Sequence, residues 1–292
     1  SPGGGENAPS TMLGPFDDAV SSFHPTKFSK LHTQSEFCGL CHNVSHAANL
    51  TPIENTYDEW KNSPYNTGDT ETTVHCQDCH MRQTPLVPAT GKTERPDNPG
   101  FACDDGPRRP HVPTHYIVGG NTIEGEGFGD EMHIKLARDR LKNAADLEIL
   151  KSGNYRRSSV ANIRIKVINS GAGHYLPTGM TEFRQMWLDV KVTDKVGRLI
   201  YSSGSVDSQG LIDPDSVMFN TVLGNSKGEP VMNITLADRV LMDHRIPPKG
   251  YVIEKFSFFV PGYVTNPLKV ETVLRYRSCS QSFADSLLKD KT

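Results

Sequence analysis

The chain has 292 residues, 36% of them hydrophobic, and a formal net charge of −3. That length allows two modest domains with a thin apolar interior, and so small a charge excludes binding to nucleic acid by neutralising phosphates. No apolar run approaches the roughly 18–20 residues that cross a bilayer, and the opening Ser1-Pro2-Gly3-Gly4-Gly5 reads as a processed start.

Residues 1–36 hold no periodic element, because Gly14, Pro15 and Pro25 interrupt any helix. Cys38-Gly39-Leu40-Cys41-His42 follows and is expected on a short helix. Thr51-Pro52 predicts a second helix, with Thr as N-cap and Pro at the first helical position. It carries Tyr57 and Trp60 on one face and ends near Pro64. Cys76-Gln77-Asp78-Cys79-His80 comes next. Residues 82–113 then form a long connection with seven prolines, from Pro85 to Pro113. A connection of that length is expected to wrap something functional. Met132, Leu136, Leu141, Ala144, Ala145 and Leu150 predict an amphipathic helix from about Asp130 to Ser152, stopped by Gly153.

After Gly153 the apolar period becomes two. Ile163, Ile165 and Val167 alternate with polar residues, as do Met186, Leu188, Val190 and Val192. Phe256, Phe258 and Val260 continue the pattern, followed by Val270, Thr272, Leu274 and Tyr276. Asp194-Lys195-Val196-Gly197 and Pro248-Lys249-Gly250 are turn signals. The expected fold is α+β. A coil-and-helix domain spans 1–155, and an antiparallel β-sandwich spans 156–292.

The two Cys-x-x-Cys-His strings carry the chemistry. In c-type haem attachment, two thiols form thioethers to the porphyrin edge and the adjacent histidine faces the iron. One chance match in a chain of this length is on the order of 0.005, and two are far rarer. A thioredoxin-like redox pair would need an α/β setting that the pattern lacks. Zinc held by both pairs would need a shorter gap than Cys41 to Cys76, and would leave each histidine unexplained. The expectation is therefore two covalent haem c groups, on Cys38, Cys41, Cys76 and Cys79, with His42 and His80 on the irons.

Histidines are plentiful enough to fill the opposite face of each iron. His115 leads, in the apolar, glycine-paired Thr114-His115-Tyr116-Ile117-Val118-Gly119-Gly120. His174 sits in the tight loop Gly171-Ala172-Gly173-His174-Tyr175-Leu176-Pro177-Thr178-Gly179. His32 and His24 precede the first motif, and His46 follows it. His75, His111, His133 and His244 carry the ordinary reading of surface or hydrogen-bonded residues. Bis-histidine ligation implies lower potentials than His/Met ligation. Cys103 and Cys279 stand outside the motifs; they are either two separate thiols or a bridge between the halves of the chain.

The strings Ser35-Glu36-Phe37-Cys38 through His42, Tyr57-Asp58-Glu59-Trp60-Lys61-Asn62-Ser63-Pro64-Tyr65, and Cys76 through Met81 resemble those of bacterial multihaem cytochromes c of the cytochrome c-554-like group. The stretches His115 to Asn121, Gly173 to Gly179 and Arg245-Ile246-Pro247-Pro248-Lys249-Gly250 look like the same group's C-terminal half. The resemblance implies an exported, periplasmic or extracellular electron carrier with closely placed, mostly bis-His haems. The chain departs from it in carrying two attachment motifs where relatives often carry four or more. Longer conduction would then require other redox proteins, or copies of this chain stacked haem to haem as a homo-oligomer or filament. The alternative is a haem oxidoreductase acting on a small inorganic or sulfur substrate at an open iron position, with Cys103 as its only sulfur candidate.

Overall fold

The computed structural model describes residues 10–103, 106–122, 131–150 and 154–289. The first elements are short. Strands β1 (Met12–Gly14) and β2 (Thr26–Phe28) pair in parallel, and a 3-10 turn (Lys30–Thr33) leads into α1 (Ser35–Gly39). Then come β3 (Val44–Ser45), β4 (Pro52–Glu54), α2 (Thr56–Lys61) and α3 (Cys76–His80). The predicted helix start at Thr51-Pro52 is displaced. Pro52 and Ile53 belong to β4, which pairs with β3, and Ile53 is buried against Leu223 and Ala237. Ladder pairing and burial override the capping signal, and α2 starts four residues later than Pro52.

The proline-rich connection has little regular structure. Two-residue strands β5 (Gly100–Phe101) and β6 (Arg108–Arg109) pair across it. Helix α4 (Glu131–Lys142) follows. The helix expected to reach Ser152 instead ends at Lys142, and β7 (Asp146–Leu150) takes over. Asp146 to Leu150 pair with Ile168 to Arg164, and Ala144, Ala145 and Leu147 pack on the strand core. Tertiary pairing thus wins over an apolar stripe that fits a helix equally well. Asp130 and Ser152 lie outside the described residues.

From here the chain is built of strands: β8 (Ser159–Ile168), β9 (Gln185–Thr193), β10 (Leu199–Ser203), β11 (Thr221–Gly224), β12 (Arg239–Asp243), β13 (Tyr251–Val260) and β14 (Lys269–Arg277). The C-terminal helix is α5 (Gln281–Lys289). Strands β7, β8 and β13 make one antiparallel sheet, β10, β9 and β14 another, and β11 pairs with β12. The period-two pattern is realised in the burial of β8 and β13, whereas β9 buries Trp187 and Asp189 on its second face too. Ala161, Ile163, Ile165 and Val167 of β8 share one buried cluster with Met186, Leu188, Val190 and Val192 of β9. Phe256, Phe258 and Val260 of β13 join it, and Val270, Leu274 and Tyr276 of β14 pack against it. A Val, Leu, Ile, Phe or Met side chain among them contributes about 1.5–3 kcal/mol when fully buried.

The turn at Asp194 forms as expected. Its carboxylate accepts the backbone N–H of Val196 at 3.1 Å and of Arg198 at 3.0 Å, and Gly197 takes a φ of +82°. No helix among the described residues is long and apolar enough to cross a membrane.

Candidate functional site

The fold brings the two cysteine motifs together. Cys38 on α1 and Cys76 on α3 face each other. Their mutual hydrogen bond lowers the Cys38 thiol to about 7 and raises Cys76. Ser35 joins the two helices. Its hydroxyl accepts the Cys76 N–H at 3.0 Å and lies 3.1 Å from His75 Nδ1. Gln77 donates to the Gln34 carbonyl at 2.7 Å. Between them, α2 packs its Tyr57 ring over Gly39, where an added Cβ would come within 2.7 Å of the ring. Glycine in the first motif is thus a packing requirement.

Hydrogen bonds decide which nitrogen of each histidine is free. His42 Nδ1–H donates to Glu54 Oε1 at 3.0 Å. His80 Nδ1–H donates to the Val118 carbonyl at 3.2 Å, and His174 Nδ1–H to the Tyr175 carbonyl at 2.9 Å. Carbonyls and carboxylates only accept, so each ring carries a proton on Nδ1, and in the neutral form of the ring the lone pair lies on Nε2. That is the tautomer of a metal-bound imidazole held by an outer partner. Burial, then the charges of Arg140, His174 and His42, hold His80 down to about 3, with the Val118 carbonyl opposing. Burial also lowers His174, against Glu59 and the Tyr175 carbonyl. Burial thus keeps His80 neutral near neutral pH and pushes His174 in the same direction.

The surroundings lock both in place. Arg140 of α4 donates to the Cys79 carbonyl at 2.9 Å and to Gln83 Oε1. Thr114 bonds the carbonyls of Met81 and Gln83, which seats the segment leading to Val118 beside α3. The His174 loop is held by buried Asn169, whose amide donates to the carbonyls of His174 and Ile246 and accepts the Ala172 N–H. Gly171 lies so close to the Asn143 carbonyl that a side chain there would collide with it.

Glu59 was missed from sequence as a positioning residue. It reaches from α2 to accept the Tyr175 N–H at 3.1 Å and the Thr178 hydroxyl at 2.7 Å, and it pairs with Arg245. Both residues stood in strings noted for their resemblance, but 186 positions separate them, and only the fold shows the contact. Glu54 gave no signal in the sequence at all.

The other histidines divide by the same test. His115 is exposed, one residue past the tethered Thr114. His32 has a buried Nδ1 without a hydrogen-bond partner, and its ring lies 4.7 Å from that of Phe37, beside Cys38. His24 Nδ1 faces the Pro25 carbonyl at 3.3 Å. His46 uses both nitrogens, one accepting the Ala48 N–H and the other on the Thr235 carbonyl. His244 is held between the Met218 carbonyl and Glu254. His75 and His111 accept backbone N–H groups at Nδ1. His133 sits 6.0 Å edge-on to Tyr116. Cys103 and Cys279 are both free; Cys103 faces the Val20 carbonyl and Cys279 that of Ser280.

The residues fit a haem better than a bare ion. The donor set is two thiol pairs with adjacent histidines and matching free Nε2 atoms. Among the described residues no three His, Cys, Asp or Glu side chains converge as a metal cluster.

The fold is multihaem cytochrome c-like. The solved structure that shows it is a penta-heme cytochrome c552 from Thermochromatium tepidum, similar with a TM-score of 0.60 and 16% sequence identity. The match covers 91% of this chain and 54% of that one, so the chain spans about half the neighbour's length. No family model matches the chain, and no curated protein matches it.

Proposed function

We propose that the chain is an exported dihaem c-type cytochrome that carries electrons. Cys38 and Cys41 would hold one haem and Cys76 and Cys79 the other, with His42 and His80 as the proximal ligands. His174 completes the second iron, and His32 and His115 are the candidates for the first. The haem supplies the one-electron chemistry; the chain binds it, orients the imidazoles and shapes its electrostatics. The observation that carries the reading is that His80 and His174 each direct Nδ1–H to a backbone carbonyl, the arrangement of an imidazole whose Nε2 faces a metal. Held by histidines in this way, the haem would supply one-electron transfer and leave no place for substrate.

The two sheets sharing one core are read as a β-sandwich domain. Because β7 pairs with β8, we place its start near Asp146 rather than at residue 156. Partners are other redox proteins or further copies of the chain, with haem-to-haem stacking in a homo-oligomer or filament as the route to longer conduction.

Intact mass of the matured protein tests the attachment, with two haem additions expected and fewer overturning it. Low-temperature EPR tests the ligation. The resting protein is expected to be low-spin at both irons, with His174→Ala turning one of them high-spin. A high-spin iron in the unaltered protein would favour the oxidoreductase alternative instead.

A further inference from the structure

Resting on the proposed haem attachment, we infer that Glu54 is a positioning residue that makes the first haem site the more reducing of the two. The sites differ in what holds the proximal histidine. At the first, His42 Nδ1–H donates to the carboxylate of Glu54 at 3.0 Å. At the second, His80 Nδ1–H donates to the neutral Val118 carbonyl at 3.2 Å.

An anionic partner makes an imidazole a stronger electron donor to whatever its other nitrogen binds. Ferric iron carries one more positive charge than ferrous. A stronger donor and a nearby negative charge therefore favour the ferric state and lower the potential.

Glu54 is held where this can act. It pairs with Val44 in the β3–β4 ladder, and its neighbour Ile53 is anchored in a buried cluster with Leu223 and Ala237. Its side chain is only 21% exposed, so water screens the carboxylate incompletely.

The second site is arranged the opposite way. Val118 is buried, and the Arg140 guanidinium donates to the Cys79 carbonyl next to His80. Positive charge there favours ferrous iron. Both differences have the same sign.

Spectroelectrochemical titration of the full, matured protein and its Glu54→Gln variant tests the inference. Glutamine keeps the size and can still accept a hydrogen bond through its amide oxygen, so the change removes the charge. Two components are expected in the unaltered protein. In Glu54→Gln the more negative one shifts upward and the other stays in place. A single component in the unaltered protein, an unchanged pair, equal shifts of both, or a shift confined to the more positive one overturns the inference.

Intact mass of the same samples separates this from the haem reading, which stands if two haem additions are present whatever the potentials do. If Glu54→Gln fails to mature, Glu54→Asp retracts the charge by one methylene. A smaller upward shift of the same component is then expected, and no shift overturns the inference.

Discussion

Between β8 and β9, Ile165, Val167, Leu188, Val190 and Val192 are completely buried, whereas Leu40 inside the first cysteine motif is 71% exposed. The strand region covers its apolar surface with its own side chains. The cysteine-bearing segment has only small clusters, such as Val118, Leu136 and Ala137, and is held mainly by hydrogen bonds: Ser35 to Cys76, Gln77 to Gln34, Arg140 to Cys79. It also leaves His32 Nδ1 and the Tyr65 hydroxyl buried without partners. The contrast teaches where each region's order comes from. One region is organised by a continuous apolar core; the other is a scaffold of polar anchors shaped around the proposed haems.

The sharpest way to break this comparison is a cavity in the strand core. Leu188→Ala should cost about 2–5 kcal/mol in urea unfolding and leave the haem content unchanged. Loss of haem in that variant would show that the two regions do not divide the work in this way.

Glu59→Ala tests the joint between the regions. It strips the partner from Arg245, which keeps Asp243, so a loss of about 3 kcal/mol is expected, the low end for a broken buried pair. Because Glu59 also holds Tyr175 and Thr178, one low-spin EPR signal should weaken as His174 loosens.

Gly39→Ala pushes a methyl into the Tyr57 ring and should cost about 1–3 kcal/mol. Attachment of the first haem, read by mass, should fall while the second is retained.

The smallest expected effect is pH dependence at the Asp194 turn. Burial alone would raise this carboxyl, but hydrogen bonds from the Arg198 side chain and the Thr265 and Arg198 amides outweigh it and hold it at about 2, below its usual 3.8. The unfolded chain therefore binds the proton first. The stabilisation is complete above about pH 4 and is lost as pH falls toward about 2. Asp194→Asn should remove that part of the acid-unfolding slope.

Much of the strand region is legible from the sequence. Alternating burial in β8 and β13 puts every second side chain on one face; β9 adds Met186, Leu188, Val190 and Val192 to the same core while burying Trp187 and Asp189 on its other face. Adjacent residues also explain the two cysteine motifs, and tight glycine spacing marks the His174 loop. The error at β7 has a physical cause. Leu147 and Leu150 satisfy a helical stripe as well as a strand, and ten-residue β8, 13 positions ahead at Ser159, supplies the pairing that decides.

Local chemistry, then, was written in neighbouring residues: thiols beside a histidine, alternating apolar side chains, glycine where the backbone turns. What only the tertiary structure decided is which distant groups meet. Ser35 reaches Cys76, Gln77 reaches Gln34, Glu59 reaches Arg245 and Glu54 holds His42. The reason is that a hydrogen bond or charge acts over a few ångströms of space, while spacing along the chain constrains only residues within a turn or a strand of one another.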